Sequence, residues 1–207
     1  DMLNAEVAAA DVVLDCSDNF ATRHAINRAC VALRKPLVSG AGVRFDGIVS
    51  SPLERALVTA NLVNTAHGHE ITTDVRLAER AHGRFEGWTV QEITAEVGAD
   101  QVDDFFQHSA ELESWDDVTQ RVVASLDAVA LDFAGGTALV VSHGGVLDMV
   151  WRIVHQLDLN GYRQCQIPNA GINHVVWQDG RWRIVDWALV DHLAGLPPQP
   201  VYQTTSA

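Results

Sequence analysis

Residues 47–56 read Gly-Ile-Val-Ser-Ser-Pro-Leu-Glu-Arg-Ala. The first four positions suit a short strand. Ser51 is placed to cap a helix, and Pro52 to fill its first turn, where a missing N–H costs nothing. The stretch therefore predicts a strand over 47–50 that passes directly into a helix reaching about residue 63. A strand ending at a helix N-terminus presents free backbone N–H groups and the positive end of the helix dipole, both favourable for an anion. Arg55, one turn into the helix, adds a forked donor that matches phosphate oxygens, although an ordinary surface arginine would look the same in sequence.

The pattern recurs downstream. Residues 138–141 (ALVV) predict an inner strand, followed by Ser142-His143-Gly144-Gly145 and a helix through residue 155. His143 would end the strand beside glycines that let a ligand approach the backbone; a buried, hydrogen-bonded histidine is the plainer alternative. Between the two stretches, residues 76–87 (RLAERAHGRFEG) place Glu79 and Glu86 in one glycine-punctuated segment. A carboxyl group near bound phosphate can act as general acid and then base.

Upstream, residues 10–16 (ADVVLDC) predict a buried strand. Asp18 or Asn19 caps a predicted helix over 21–34, striped by Ile26, Ala29, Cys30 and Leu33, and Pro36 precedes a further strand over 37–43. Such a β-α-β unit implies a parallel sheet. Residues 91–131 read as mostly helical, with an S-x-x-D box at Ser114 and Asp117 ahead of Val118, Val122, Leu126 and Val129. Residues 175–178 and 182–187 around Asp179-Gly180 predict a hairpin. Together these elements imply an α/β fold: a three-layer α/β/α sandwich with a mostly parallel sheet and a C-terminal β-hairpin. Residues 1–196 are expected to form a single α/β domain, with segments 1–44 and 45–196, and 197–207 to form a tail. Ligands of such sheets bind beyond the carboxyl ends of the strands, where Ser50-Ser51 and Ser142-His143 fall.

A net charge of −13 argues against nucleic acid as a partner, because phosphate backbones demand clustered Lys and Arg. The acid concentrates between Glu96 and Asp117, where eight carboxylates occur with no Lys or Arg, as expected of a solvated helical excursion. No apolar run is long enough for a membrane span, and residues 1–10 lack the basic start of a secretion signal. The three cysteines (Cys16, Cys30, Cys165) are odd in number and lack metal-type spacing; reduced thiols in a cytoplasmic protein, with no metal and no cofactor, are expected. No pattern specifies an oligomeric state.

Taken together, S-S-P-L-x-R-A-x-x-T-A from Ser50, R-L-x-E-x-x-x-G-x-x-E-G from Arg76, S-H-G-G from Ser142 and the later Ile167-Pro168-Asn169-Ala170 resemble the histidine phosphatase (phosphoglycerate mutase-like) superfamily over about residues 45–193. The resemblance implies phosphomonoester hydrolysis on a small phosphorylated substrate. It implies catalytic roles for His143, Glu79 (as proton donor) and Arg55, and substrate contacts from Ser51, Gly144 and Asn169. The short spacing from Glu79 to His143 suits the broad-specificity phosphatases better than the glycolytic mutases.

The resemblance departs from the family at its most important point. The family's phosphate-accepting histidine lies in an R-H-G motif after the first strand, and no R-H-G occurs in these 207 residues. Arg23-His24 is followed by Ala25 and lies inside a predicted helix, so His24 and, as a thiolate, Cys16 are the substitute nucleophile candidates. Residues 1–44 instead resemble a fragment of the E1-like adenylate-forming enzymes. Asp18 matches an aspartate near the ATP phosphates there, but the glycine-rich loop and the paired C-x-x-C zinc ligands are missing. The chain thus reads as a chimera joined near residues 44–47. A weak or inactive phosphatase, a non-catalytic phosphate-ligand binder or chimeric scaffold, and an adenylyltransferase-like nucleotide-binding module are the competing expectations.

Overall fold

The structure, a computed structural model, describes residues 2–15, 20–39, 45–161 and 163–193. It divides between Phe45 and Asp46 into two units.

The first unit contains α1 (Met2–Ala9), β1 (Val13–Asp15), α2 (Phe20–Leu33) and β2 (Leu37–Ser39). β1 and β2 pair in parallel, Val13 opposite Leu37, which is the expected β-α-β arrangement. Ala29 and Cys30 of α2 are buried with Val7 of α1, and Val13 and Ile26 pack against them. Leu33, the last position of the predicted stripe, stays exposed because the helix ends there and the chain turns through Arg34 at φ 51°. α1 was not legible in sequence: its apolar residues form no stripe, and Val7 alone is buried. Cys16, Asp18 and Asn19 lie outside the described residues, as do the side chains of Arg23 and His24 within α2.

The second unit is built on β3 (Gly47–Ser50), α3 (Glu54–Asn64), β4 (Ile71–Thr73), α4 (Val90–Val97), α5 (Val102–His108), α6 (Trp115–Asp132), β5 (Ala138–Val141), α7 (Gly144–His155), β6 (Ile172–Gln178) and β7 (Arg181–Leu189). β3 is the centre of a parallel sheet of order β4-β3-β5, with Val49 opposite both Thr72 and Val140. Alternation along the strand sends Ile48 and Val49 to opposite faces. α3 packs on β3 and β5. Val49 joins Val118, Val122, Leu126 and Val129 of α6 and Val146, Met149 and Val150 of α7 in one buried cluster. The unit is therefore the expected α/β/α arrangement.

The α6 stripe read from sequence is buried at all four positions. Ser114 caps it, accepting from the Asp117 N–H at 3.1 Å, while the Asp117 carboxylate takes the Ser114 hydroxyl. The helix read as starting at Ser51-Pro52 begins later, at Glu54. Ser51 does not cap it in the usual way: its Oγ accepts from the Leu53 N–H at 3.3 Å in a tight turn and also meets a histidine described below. β4 was missed because it is a half-exposed edge strand containing two threonines, with little apolar alternation to mark it.

β6 and β7 form the C-terminal antiparallel hairpin, longer than read, about a turn in which Asp179 and Gly180 both have positive φ (53° and 74°), as a type I′ turn requires. α7 packs on β7. The acidic excursion carries α4 and α5, which cover a small core of their own made by Phe85, Ile93 and Leu112. Its carboxylates face solvent or pair locally, as Glu111 and Glu96 do with Arg84. Among the described residues no helix is long and apolar enough to cross a membrane.

Candidate functional site

β3 and β5 end side by side, and the ladder continues one residue further, where the Ser51 N–H donates to the Val141 carbonyl at 2.9 Å. This register brings Ser51 to His143, and the histidine Nε2 and Ser51 Oγ are 2.7 Å apart. Both residues are buried. The backbone of His143 is extended (φ −129°, ψ 167°) because it occupies the N-cap of α7, yet its ring does not cap the helix and points to the strand ends instead.

Glu79 arrives by a different route. A turn of 3-10 helix at Val75–Leu77 follows β4, capped by Asp74, whose carboxylate also grips Arg76 at 2.8 Å and receives the Ser125 hydroxyl at 2.6 Å. Arg121, projecting from α6, then staples the backbone beyond the turn. Its Nη1 donates to the Arg76 and Ala78 carbonyls at 2.6 and 2.7 Å, and its Nε is paired with Glu113 at 2.6 Å. The Glu79 carboxylate consequently reaches the start of α7 and accepts the Gly145 N–H at 3.0 Å as well as its neighbour's, from Arg80, at 3.0 Å. Gly145 has to be glycine for this: a Cβ there would collide with the Glu79 carboxylate.

Arg55 lies exposed on the first turn of α3, its guanidinium without a hydrogen-bond or carboxylate partner among the described residues. Its charge reaches His143. Burial is the main force holding the imidazole below its ordinary pKa, Arg55 adds to it, Glu79 opposes it and Arg121 contributes a little more downward pressure. The ring is accordingly neutral at pH 7, hydrogen-bonded to a hydroxyl, beside the positive end of a helix.

The sign has a consequence for stability. A histidine that binds its proton less readily when folded contributes stability that is intact above the unfolded pKa of about 6.5 and is lost as pH falls toward the lower folded value. Titration of His143 by NMR should give a midpoint below the ordinary histidine range, and Arg55→Ala should move it upward; an unchanged midpoint in that variant would mean the two groups are not coupled.

The structure thus brings together Arg55, Glu79, His143 and Ser51, with Gly144 beside them as the first residue of α7. Asn169 lies on an exposed turn before β6 and has no hydrogen bond to these groups among the described residues. His24 and Cys16 fall outside the described side chains. Among the described residues, no group of His, Cys, Asp or Glu is arranged to hold a metal ion. A cavity of about 420 Å³ sits away from His143, between the acidic excursion and the loop after α7, where Arg80, Trp115 and Asn160 contribute to its wall.

Sequence reasoning missed the supporting arginines. Arg121 occupies the position before Val122 in the α6 stripe, a charged residue at the edge of a buried face, which was the available signal. Arg80 is buried, stacks on Trp115 at 4.0 Å and donates to the Glu113 and Phe106 carbonyls, both at 2.6 Å. Nothing local marked it out from its neighbours Arg76 and Arg84.

With this geometry in hand, comparison with known proteins is specific. The chain is 30% identical over 156 residues to the metal-independent phosphoserine phosphatase of Arabidopsis thaliana, covering 72% of this chain and 63% of that protein. The solved structure of YhfR from Bacillus stearothermophilus superposes with a TM-score of 0.68 at 25% identity, covering 73% of this chain and 78% of that one. The N-terminal segment matches elsewhere. It is 70% identical over 37 residues to the adenylyltransferase and sulfurtransferase MOCS3 of Drosophila persimilis, covering 18% of this chain and 8% of that protein. The chain therefore spans a small fraction of the MOCS3 relatives and less than two thirds of the plant phosphatase. The ThiF family model matches residues 1–61, and the model of the histidine phosphatase superfamily (branch 1) matches residues 35–190. On that match, which takes in the sheet, α7 and every residue of the cleft, this chain belongs to the histidine phosphatase superfamily.

Proposed function

We propose that the cleft binds small phosphomonoesters, phosphoserine-like compounds among them, and that any turnover is hydrolysis of the ester. The observation that carries this reading is the juxtaposition of a neutral, buried His143 with Ser51 at 2.7 Å, at the end of two parallel strands and under the charge of Arg55. In this reading Arg55 supplies the forked cation for the phosphoryl oxygens, and His143, Ser51 and the first N–H groups of α7 surround the rest of the group. Glu79 is the proton donor to the leaving oxygen. To act as one it carries a proton on one oxygen, while the other can keep the Gly145 N–H. With no R-H-G histidine in these 207 residues, water takes the phosphoryl group directly. The P–O bond to the leaving group breaks, Glu79 protonates the leaving oxygen, and the proton lost by the water goes to the phosphate product, from which the Glu79 carboxylate recovers one.

The missing motif also supports a second reading, a phosphate-ligand binder that does not turn over. Both readings require the same anion site, so binding is the first test. Calorimetric titration with inorganic phosphate should show one site, and Arg55→Ala should weaken it by about tenfold or more, the worth of a charge-assisted contact. Equal affinity in the parent chain and the variant would remove Arg55 from the site. The nucleotide-binding alternative rests on Asp18, outside the described residues, and on the ThiF match over residues 1–61, a segment that lacks the glycine-rich loop such a site needs.

A further inference from the structure

Arg163 is an arginine whose structural duties are already performed by other residues. It follows the loop after α7, and its guanidinium reaches back to the start of that helix: Nη2 lies 3.6 Å from the place a Cβ on Gly144 would occupy. Its nearest carboxylate is Asp148, one turn into α7, at 3.9 Å from Nε, beyond hydrogen-bond range. Asp148 is itself buried and already satisfied by Arg152 at 3.0 Å. The Arg163 Nε is shut off from solvent, and neither it nor the rest of this guanidinium makes a hydrogen bond among the described residues. The side chain as a whole remains 27% exposed, so its outer donors stay accessible.

The loop that precedes it is anchored on both sides. Arg152, almost wholly buried, holds the loop by donating to the Asp158, Asn160 and Gly161 carbonyls at 2.6, 3.0 and 2.9 Å. Gln107 of α5 accepts the Gly161 N–H at 2.9 Å from the other side. A buried polar group left without a partner requires an explanation. An arginine with unused parallel donors, beside the residue that follows His143, is suited to a planar anion.

We infer that Arg163 is a specificity-determining residue that binds the carboxylate of a phosphorylated acid whose phosphoryl group occupies the Arg55–His143 cleft. The inference rests on the proposed anion site and adds to it the class of substrate. The phosphoryl group already has Arg55, His143 and the helix N–H groups; Arg163 comes from a different element, on the α7 side, where the remainder of a short ester would extend. Asp148 tempers its charge without using its donors.

The test compares O-phosphoserine with phosphoethanolamine, which differ only by the carboxylate, and with inorganic phosphate. All three are titrated calorimetrically into the parent chain and into Arg163→Gln and Arg163→Lys. The parent should prefer O-phosphoserine over phosphoethanolamine by about tenfold or more, the worth of a hydrogen bond to a charged group. Arg163→Gln should abolish the preference while leaving the other two affinities within about twofold, and Arg163→Lys should retain part of it, since charge persists and the fork does not. A preference that is absent in the parent or survives in Arg163→Gln overturns the inference, as does an equal loss for all three ligands. Phosphate binding that persists without carboxylate preference condemns Arg163 alone, whereas a parent chain that binds none of the three, phosphate included, overturns both this inference and the proposed site.

Discussion

Turnover of p-nitrophenyl phosphate by this chain is expected to lie several powers of ten below that of a superfamily member with an intact R-H-G motif, because without a nucleophilic side chain one difficult step is no longer divided into two easier ones. The described part of the chain offers no good replacement. His143 is neutral but buried against Ser51, and in the proposed site it is committed to holding the phosphoryl group. Cys165 is raised to about 12 by burial, with the neighbouring Asp148 carboxylate adding to the shift, so it is a thiol and not a thiolate. His24 and Cys16 remain as candidates outside the described side chains. Steady-state assays of the parent and of His143→Ala, His24→Ala and Cys16→Ser decide among them. The expected result is a low rate that falls further in His143→Ala and does not respond to the other two. Robust turnover that vanishes in His24→Ala would identify Arg23-His24 as a displaced form of the missing motif and overturn the damaged-site reading.

The largest loss of stability is expected from Arg152→Ala. This side chain is 1% exposed, is paired with buried Asp148 and closes the loop after α7 through three backbone carbonyls. Removing it takes the donor from a buried carboxylate, whose remaining cation is Arg163 at 3.9 Å, and from three carbonyls of an exposed loop. Breaking a buried pair from one side costs about 3–5 kcal/mol, mostly the penalty of the stranded charge. For a chain of this size each kcal/mol lowers Tm by about 2–4 °C, so a fall on the order of 10 °C is expected in a thermal melt. Replacing Asp148 by Leu in the same background should restore part of the loss, because no buried charge then remains unpaired. A change under about 1 kcal/mol in Arg152→Ala would show that water or a rearranged loop satisfies these groups. Since the loop also carries Arg163, the variant should blunt any carboxylate preference together with stability.

Much of the second unit was legible before folding because its signals are local. The α6 stripe, the ALVV strand and the Asp-Gly turn each depend on periodicity or on a backbone conformation that few residues tolerate, and each formed as read. What failed had weaker local signals. β4 is an edge strand with little alternation. α1 has no stripe. The α3 start moved from Ser51 to Glu54 because the Ser51 hydroxyl is engaged with a residue 92 positions away, which helix-capping rules cannot anticipate.

The candidate site divides in the same way. By itself the sequence determined the identities of Arg55, Glu79 and His143, and that the two strands bearing Ser51 and His143 would end in polar residues at helix starts. It also determined that no R-H-G is present in the chain. Only the tertiary structure decided that these strands are neighbours in one parallel sheet, that Glu79 is delivered to the Gly145 N–H by Arg121, and that Arg163 has donors and no acceptor among the described residues. The physical reason is that strand and helix propensities act over a few residues, whereas an arginine's partner depends on which distant backbone carbonyls and carboxylates the packed core brings within about 3 Å of it.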